Sequence, residues 1–169
     1  DVPPSSAESD SGRATEDASD PLFGCYLGNP GAKGLQTVWY KFVATHDSAL
    51  LQTCASNALA TDSLLGVFAV GDPSTPITQC NSLIPVGCSD DVTGCSSSNK
   101  NSKVCVRTIP GDWYYVMVAS KIELADGKAY RLDITAPCQP PSHPLGDFCP
   151  DALTVLDGTT AFNLGDATM

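Results

Sequence analysis

No stretch of this chain keeps an apolar period of 3.6 residues for three turns. Six stretches instead run at strand length, and turn chemistry separates them. "TVWYKFVA" (Thr37 to Ala44) sets Val38, Tyr40 and Phe42 against Trp39, Lys41 and Val43, and "ALLQTCA" follows a His-Asp-Ser turn. "SLLGVFAV" (63–70), "SKVCVRTI" (102–109), "WYYVMVAS" (113–120) and "KAYRLDITA" (128–136) repeat the theme between "GDPSTP", "PGD" and "ADG". In those separators Gly supplies positive φ, Pro fixes φ and Asp caps its own backbone. Short strands at this spacing predict an all-β fold, an antiparallel β-sandwich of jelly-roll type, and exclude βαβ units. Since Trp39 and Tyr40 are neighbours on a strand, they face opposite sides. One of them must lie outside the sandwich core, under a loop, the N-terminal arm or another subunit.

The chain has 169 residues, enough for one domain with a real core. Its eight cysteines, Cys25, Cys54, Cys80, Cys88, Cys95, Cys105, Cys138 and Cys149, predict an oxidising, extracellular address and a disulfide-stapled fold. Zinc is disfavoured, because there are no C-x₂-C knuckles and both histidines, His46 and His143, sit alone. Nearness in sequence suggests Cys80 with Cys88, Cys95 with Cys105, Cys138 with Cys149 and, by remainder, Cys25 with Cys54. Eight cysteines allow 105 connectivities.

The net charge of −10, with 9 basic residues scattered among 19 acidic ones, leaves no basic stripe for nucleic acid and repels anionic membrane surfaces. No apolar run approaches the roughly 20 residues that span a bilayer, so membrane insertion is not expected. The opening at Asp1, without Met or a leader, is what a mature or excised segment would show. Residues 1–24 read as a polar, acidic arm or linker. "DVPPSSAESDSGRATEDASD" holds one large apolar residue, Val2, and cannot order itself alone. Its Ser5, Ser6, Ser9, Ser11 and Thr15 are acceptors for O-linked sugar, whereas no Asn-x-Ser/Thr sequon occurs in the chain.

"TVWYKFVA", "TCASNALATDSLLGVFAVGDPSTPITQC", "VGCSDD", "GDWYYVMVAS" and "YRLDITAP", in this order, resemble the bacterial pre-peptidase C-terminal domain family in its Cys-rich, tandemly repeated form. The likeness covers about residues 37 to 136 and rests on order and spacing, not on one sharp motif. Ser63 stands where the family usually has Thr, Ser89 where it usually has Asn, and the arm before Cys25 is longer and more acidic than the family's. The resemblance implies a jelly-roll β-sandwich used as a binding or spacer module, here over residues 25–138. It also implies a calcium site, because acidic positions matching Asp62, Asp90 and Asp91 bind Ca²⁺ in some members. Clustered carboxylates suit that ion, although Asp is also common in turns for its capping alone.

After a Pro-rich hinge at 139–148, residues 149–169 resemble the opening of the next repeat. "GDFCPDALTVLDGTTAFNLGDATM" (Gly146 to Met169) is a phrase that in tandem members precedes the "vWYrF" strand, and set before Asp1 it runs on without a break. Leu153, Val155, Leu156, Phe162 and Leu164 are therefore candidates for an assembly strand. Such a strand would be joined to, or donated to, the next unit, or folded back as an edge of its own domain.

Catalysis is not expected. There is no Gly-x-Ser-x-Gly elbow, and "GNPGAKG" (28–34) lacks the Lys-Ser/Thr ending of a phosphate loop and precedes a strand. Trp39, Trp113, Tyr40, Tyr114 and Tyr115 could stack sugars, but in alternating strands such residues more often pack a core. The expected function is that of a structural subunit of a bacterial surface fibre that partners copies of itself head to tail and carries glycans. The competing expectations are a calcium-dependent carbohydrate- or matrix-binding module on a secreted enzyme, and a secreted hydrolase with an unrecognised site.

Overall fold

The computed structural model describes residues 5–10, 13–29, 31–54, 62–71, 80–95, 99–123 and 129–140. The chain divides into two compact units, Asp1–Gln139 and Pro140–Met169. The second unit lies outside the described residues apart from Pro140, and with it the hinge prolines, His143, Cys149 and the candidate assembly strand from Leu153 to Leu164.

The first unit is all-β. Its strands are β1 (Ser5–Asp10), β2 (Leu35–Val43), β3 (Ser48–Gln52), β4 (Ser63–Ala69), β5 (Ile84–Asp90), β6 (Lys103–Arg107), β7 (Trp113–Ser120) and β8 (Ala129–Thr135), with one 3₁₀ turn at Cys80–Ser82. They form two four-stranded antiparallel sheets, in the orders β1-β8-β3-β6 and β2-β7-β4-β5. Strands 1 to 4 therefore pair with 8, 7, 6 and 5 in turn, so the chain is a long antiparallel ribbon wound around a core. This is the jelly-roll solution to burying one face of each sheet.

Between the sheets lie Leu51, Leu65, Val67, Val106, Tyr114, Val116, Val118, Tyr130 and Leu132, all buried, with Tyr40 and Phe42 packed against them. The sheets approach closely at β5 and β6, where a Cβ on Gly87 would run into the Val106 side chain.

The alternate residues of the second sheet build a separate cluster on its outer face: Leu64, Phe68, Met117 and Ala119, with Trp39 and Tyr115 partly buried beside them. Trp39 and Tyr40 do face opposite sides, and the cover over Trp39 is the chain's own residues 20–34. Phe23 from that loop is buried in the outer cluster, and Tyr26 packs on it. Gly66 leaves room for this; a Cβ there would lie 3.3 Å from the Phe23 ring.

The polar arm orders itself by borrowing partners. β1 needs only its backbone to pair along β8, from Ser5 opposite Ile134 to Asp10 opposite Ala129. The sandwich thus takes a strand from the arm as well as from residues 25–138. Composition hides this, because an edge strand made of Ser, Ala, Glu and Asp has no apolar signature. Further along, buried Asp20 accepts hydrogen bonds from Thr37 Oγ1 (2.6 Å), Trp39 Nε1 (3.0 Å) and the Asp17 amide (3.0 Å). Lys33 Nζ donates to the Asp17 and Ala18 carbonyls.

The cysteine pairing inferred from sequence proximity is overturned. The bonds are Cys25–Cys88, Cys54–Cys95 and Cys105–Cys138, across separations of 63, 41 and 33 residues. Cys80 pairs with neither Cys88 nor any other cysteine among the described residues. A wound ribbon sets neighbours in space far apart in sequence. Cys88 faces outward with the Phe68 cluster and meets the cover loop at Cys25. Cys105 lies between the inward-facing Val104 and Val106, so it points away from the core towards the segment that follows β8.

Replacing Asp20 with Ala strands two side-chain donors and removes the tether of the arm. It should cost about 3 kcal/mol in urea denaturation and shift Trp39 fluorescence to the red, with Asp20→Asn recovering part of both. Unchanged stability and emission would show that the arm does not hold the cover.

Candidate functional site

At one end of the sandwich, polar side chains replace the apolar core. Thr53 follows β3, and Ser63 and Ser102 lie at or next to the starts of β4 and β6; all three are fully buried. The hydroxyls of Thr53 and Ser63 are 2.8 Å apart, the Ser102 amide donates to Thr53 Oγ1 (3.0 Å), and Ser102 Oγ donates to the Ser63 and Ser89 carbonyls. Ser89 Oγ accepts from the Lys103 amide (3.0 Å), and Asn101 Nδ2 donates to the Thr53 carbonyl (2.8 Å). Four strand ends are stitched together here without an apolar residue, which makes the region rigid enough to aim charges.

The three acids singled out by sequence, Asp62, Asp90 and Asp91, converge on this floor. One carboxylate oxygen from each lies within 4.8 Å of the others. Asp90 and Asp91 are adjacent and in a regular strand would point to opposite faces. Asp91 instead takes a left-handed backbone, φ 48°, which Asp tolerates better than most residues, and this turns its carboxylate to the same side.

A lysine sits among them. Lys121 Nζ, just past β7, donates to Asp90 Oδ2 (3.1 Å), Asp90 Oδ1 (3.2 Å) and Asp91 Oδ2 (3.1 Å), and lies 3.7 Å from Asp62 Oδ1. Lys100 approaches Asp62 from outside at 3.7 Å. The Asp90 side chain is only 1% exposed. The cover loop closes the group: the Leu27 amide donates to Asp90 Oδ2 (2.7 Å), and Lys121 Nζ stands 5.4 Å from the centre of the Tyr26 ring. In this arrangement the ammonium takes the place that a divalent cation would take, so Ca²⁺ could enter only if Lys121 left. Asp62 Oδ1 and Asp91 Oδ1 are buried without a hydrogen-bond partner among the described residues.

Burial pushes the Asp62 carboxyl up, and the negative charge of Asp91 adds to it against the pull of Lys121. Burial alone would lower the Lys121 ammonium, but hydrogen bonds to Asp91 and Asp90 and the charge of Asp62 hold it well above its ordinary 10.5. A base raised by folding contributes stability that is fully present below its unfolded value and lost as pH rises through the folded one. The clasp of Lys121 is therefore intact at neutral pH and fails only in strong alkali. Asp62 is raised as well and has the same sense, in a lower window: the cost of burying its charge is relieved as pH falls through its raised value towards 3.8.

The aromatic residues divide. Tyr40 and Tyr114 belong to the inner core, Trp39 and Tyr115 to the outer cluster, and Trp113 is 48% exposed with Lys41 Nζ 5.1 Å from its ring centre. His46 lies in the turn between β2 and β3, 3.0 Å from Thr45 Oγ1. Of the sugar acceptors, Ser5, Ser6 and Ser9 fall in β1, Thr15 is exposed, and Ser11 lies outside the described residues. Sequence reading missed Lys121 and Asp20. A single basic residue ending an apolar strand, in a chain with so few, was the available signal for Lys121. Comparison with protein-family models, with curated proteins and with solved structures finds no match. No helix among the described residues is long and apolar enough to cross a membrane.

Lys121→Met leaves buried Asp90 without its counter-charge and should cost on the order of 3–5 kcal/mol at neutral pH. The deficit should shrink as pH falls and the stranded carboxylates take up protons. A deficit that does not vary with pH would show that the clasp is not electrostatic.

Proposed function

We propose that this chain is a repeating structural unit of an extracellular bacterial surface fibre, assembled head to tail by strand complementation or tandem linkage, with O-linked sugar on its N-terminal Ser/Thr-rich strip. The observation that carries this reading is that, among the described residues, all eight strands of the jelly roll lie within Asp1–Gln139. The sequence of residues 152–169 is apolar and strand-like as well. In the family that the sequence resembles, it is also the phrase that opens the next repeat. An additional strand finds its partners on the sheet edge of another unit, and a head-to-tail contact that does not close propagates as a filament.

The interior agrees with a mechanical role. Three long-range disulfides staple the sheets, and such bonds are made and kept in oxidising surroundings. The acid cluster found among the described residues is held by the chain's own lysine and serves as a clasp between β4, β5, β7 and the cover loop. No catalytic role is proposed for it.

A second reading, a calcium-dependent carbohydrate- or matrix-binding module, draws on exposed Trp113 and on the buried, unbonded oxygens of Asp62 and Asp91. It expects glycan binding that EDTA abolishes, from a protein that stays monomeric when concentrated. The fibre reading expects filaments in negative stain at physiological salt, insensitive to EDTA, and their loss when residues 152–169 are deleted. A deleted protein that still forms filaments, or an intact one that never does, would sink it.

A further inference from the structure

The clasp at the strand ends holds an amine against a carboxyl carbon where water hardly reaches. Lys121 Nζ lies 3.2 Å from Asp90 Oδ1 and 3.1 Å from Asp90 Oδ2. An atom nearly equidistant from both oxygens faces the carbon between them, at about the 3–3.5 Å separation of a near-attack pair. The contact is fixed from both sides. The Lys121 amide donates to the Asp62 carbonyl (2.8 Å), and the Leu27 amide donates to Asp90 Oδ2 (2.7 Å). The Asp90 side chain is 1% exposed and that of Lys121 13%, with the Tyr26 ring beside the ammonium. Asp91 Oδ2 accepts from Nζ at 3.1 Å, and Asp91 Oδ1 is buried without a hydrogen-bond partner among the described residues. An amine, a carboxyl carbon, an N–H at the carboxyl oxygen and a spare carboxylate are the groups that an acyl transfer requires.

We propose that Lys121 Nζ and Asp90 Cγ condense spontaneously in the folded protein to an amide, a covalent cross-link between the end of β7 and the end of β5. This stands on the clasp geometry and not on the fibre reading, and it involves no outside substrate. At rest Nζ is an ammonium and has no lone pair to give. One of its protons passes to Asp90 Oδ1, so that the ion pair becomes an amine beside a carboxylic acid; exclusion of water reduces the advantage of the charged form. The amine then forms the N–C bond to Cγ, and the negative charge that develops on Oδ2 is held by the Leu27 amide. Asp91 takes a second proton from Nζ and passes it to Oδ1. The Cγ–Oδ1 bond breaks, and Oδ1 leaves as water with both protons. Nζ keeps its last hydrogen as the amide N–H, Oδ2 becomes the carbonyl oxygen, and nothing is oxidised or reduced. Three carboxylates favour the ammonium, so the first transfer limits the rate and closure happens once per molecule, after folding. The product ties β5, at the edge of its sheet, to the central β7 across β4. Unlike the disulfides, it withstands reducing agents.

The full chain is folded with its disulfides, incubated at neutral pH, then denatured, reduced and weighed intact. The expected mass is that of the sequence less one water. Trypsin should then release residues 42–100 joined to residues 108–128, uncut after Lys121, with fragment ions that place the bond on Asp90. Lys121→Arg keeps the cation but offers no amine, so it should show the full sequence mass and report any water lost elsewhere in the chain. Asp91→Asn suits the left-handed backbone at that position and carries no proton; it should fold, and close on the order of a hundredfold more slowly. Wild type at full sequence mass after incubation, a water loss that Lys121→Arg shares, or a bond on Asp62 or Asp91 overturns the cross-link. Closure of Asp91→Asn at the wild-type rate overturns the part given to Asp91.

Discussion

Both faces of one sheet have to be buried, and most of this structure follows from that. In a simple sandwich a strand alternates apolar and polar residues, because water lies behind it. In β4 and β7 the alternation fails: Leu64 and Leu65, and Val116, Met117 and Val118, are apolar in succession and all fully buried. One set faces the other sheet and the next needs a separate cover. The cover is residues 20–34, a loop with too little apolar surface to hold itself in place. The chain therefore fixes it at several points of different chemistry: Phe23 in the outer cluster, Asp20 under the Trp39 indole, Cys25 on Cys88, and the Leu27 amide on Asp90.

Seen this way, the acid cluster is part of the cover's fastening. Asp90 serves the loop amide and the lysine at once, so its charge cannot change without loosening both. Three carboxylates drawn together would repel one another, and Lys121, at the end of a central strand, is what makes their approach tolerable. A fastening that carries its own cation does not depend on the metal content of the surroundings.

The architecture was legible in the sequence because a jelly roll is written in local signals. Six strands were marked by apolar alternation and turn residues, and the opposite facing of Trp39 and Tyr40 follows from the geometry of a single strand. β1 and β5 were hidden for physical reasons. β1 pairs by backbone alone, and β5 begins with the exposed Ile84-Pro85-Val86 and ends in acids, so neither shows the expected pattern. The convergence of Asp62, Asp90 and Asp91 came from resemblance and not from spacing, since it needs the left-handed turn at Asp91 and strands distant in sequence. Cysteine pairing was the least legible, because a ribbon wound back on itself makes sequence separation a poor guide to distance.

One property of the ribbon bears on how such units could follow one another. Because β1 runs antiparallel to β8 with Ser5 opposite Ile134, the chain enters and leaves the sandwich side by side, at the same end. A string of such bodies gains no length by passing through them. In the fibre we propose, the sandwich sets the girth, and the axial step from one unit to the next is set by residues 140–169.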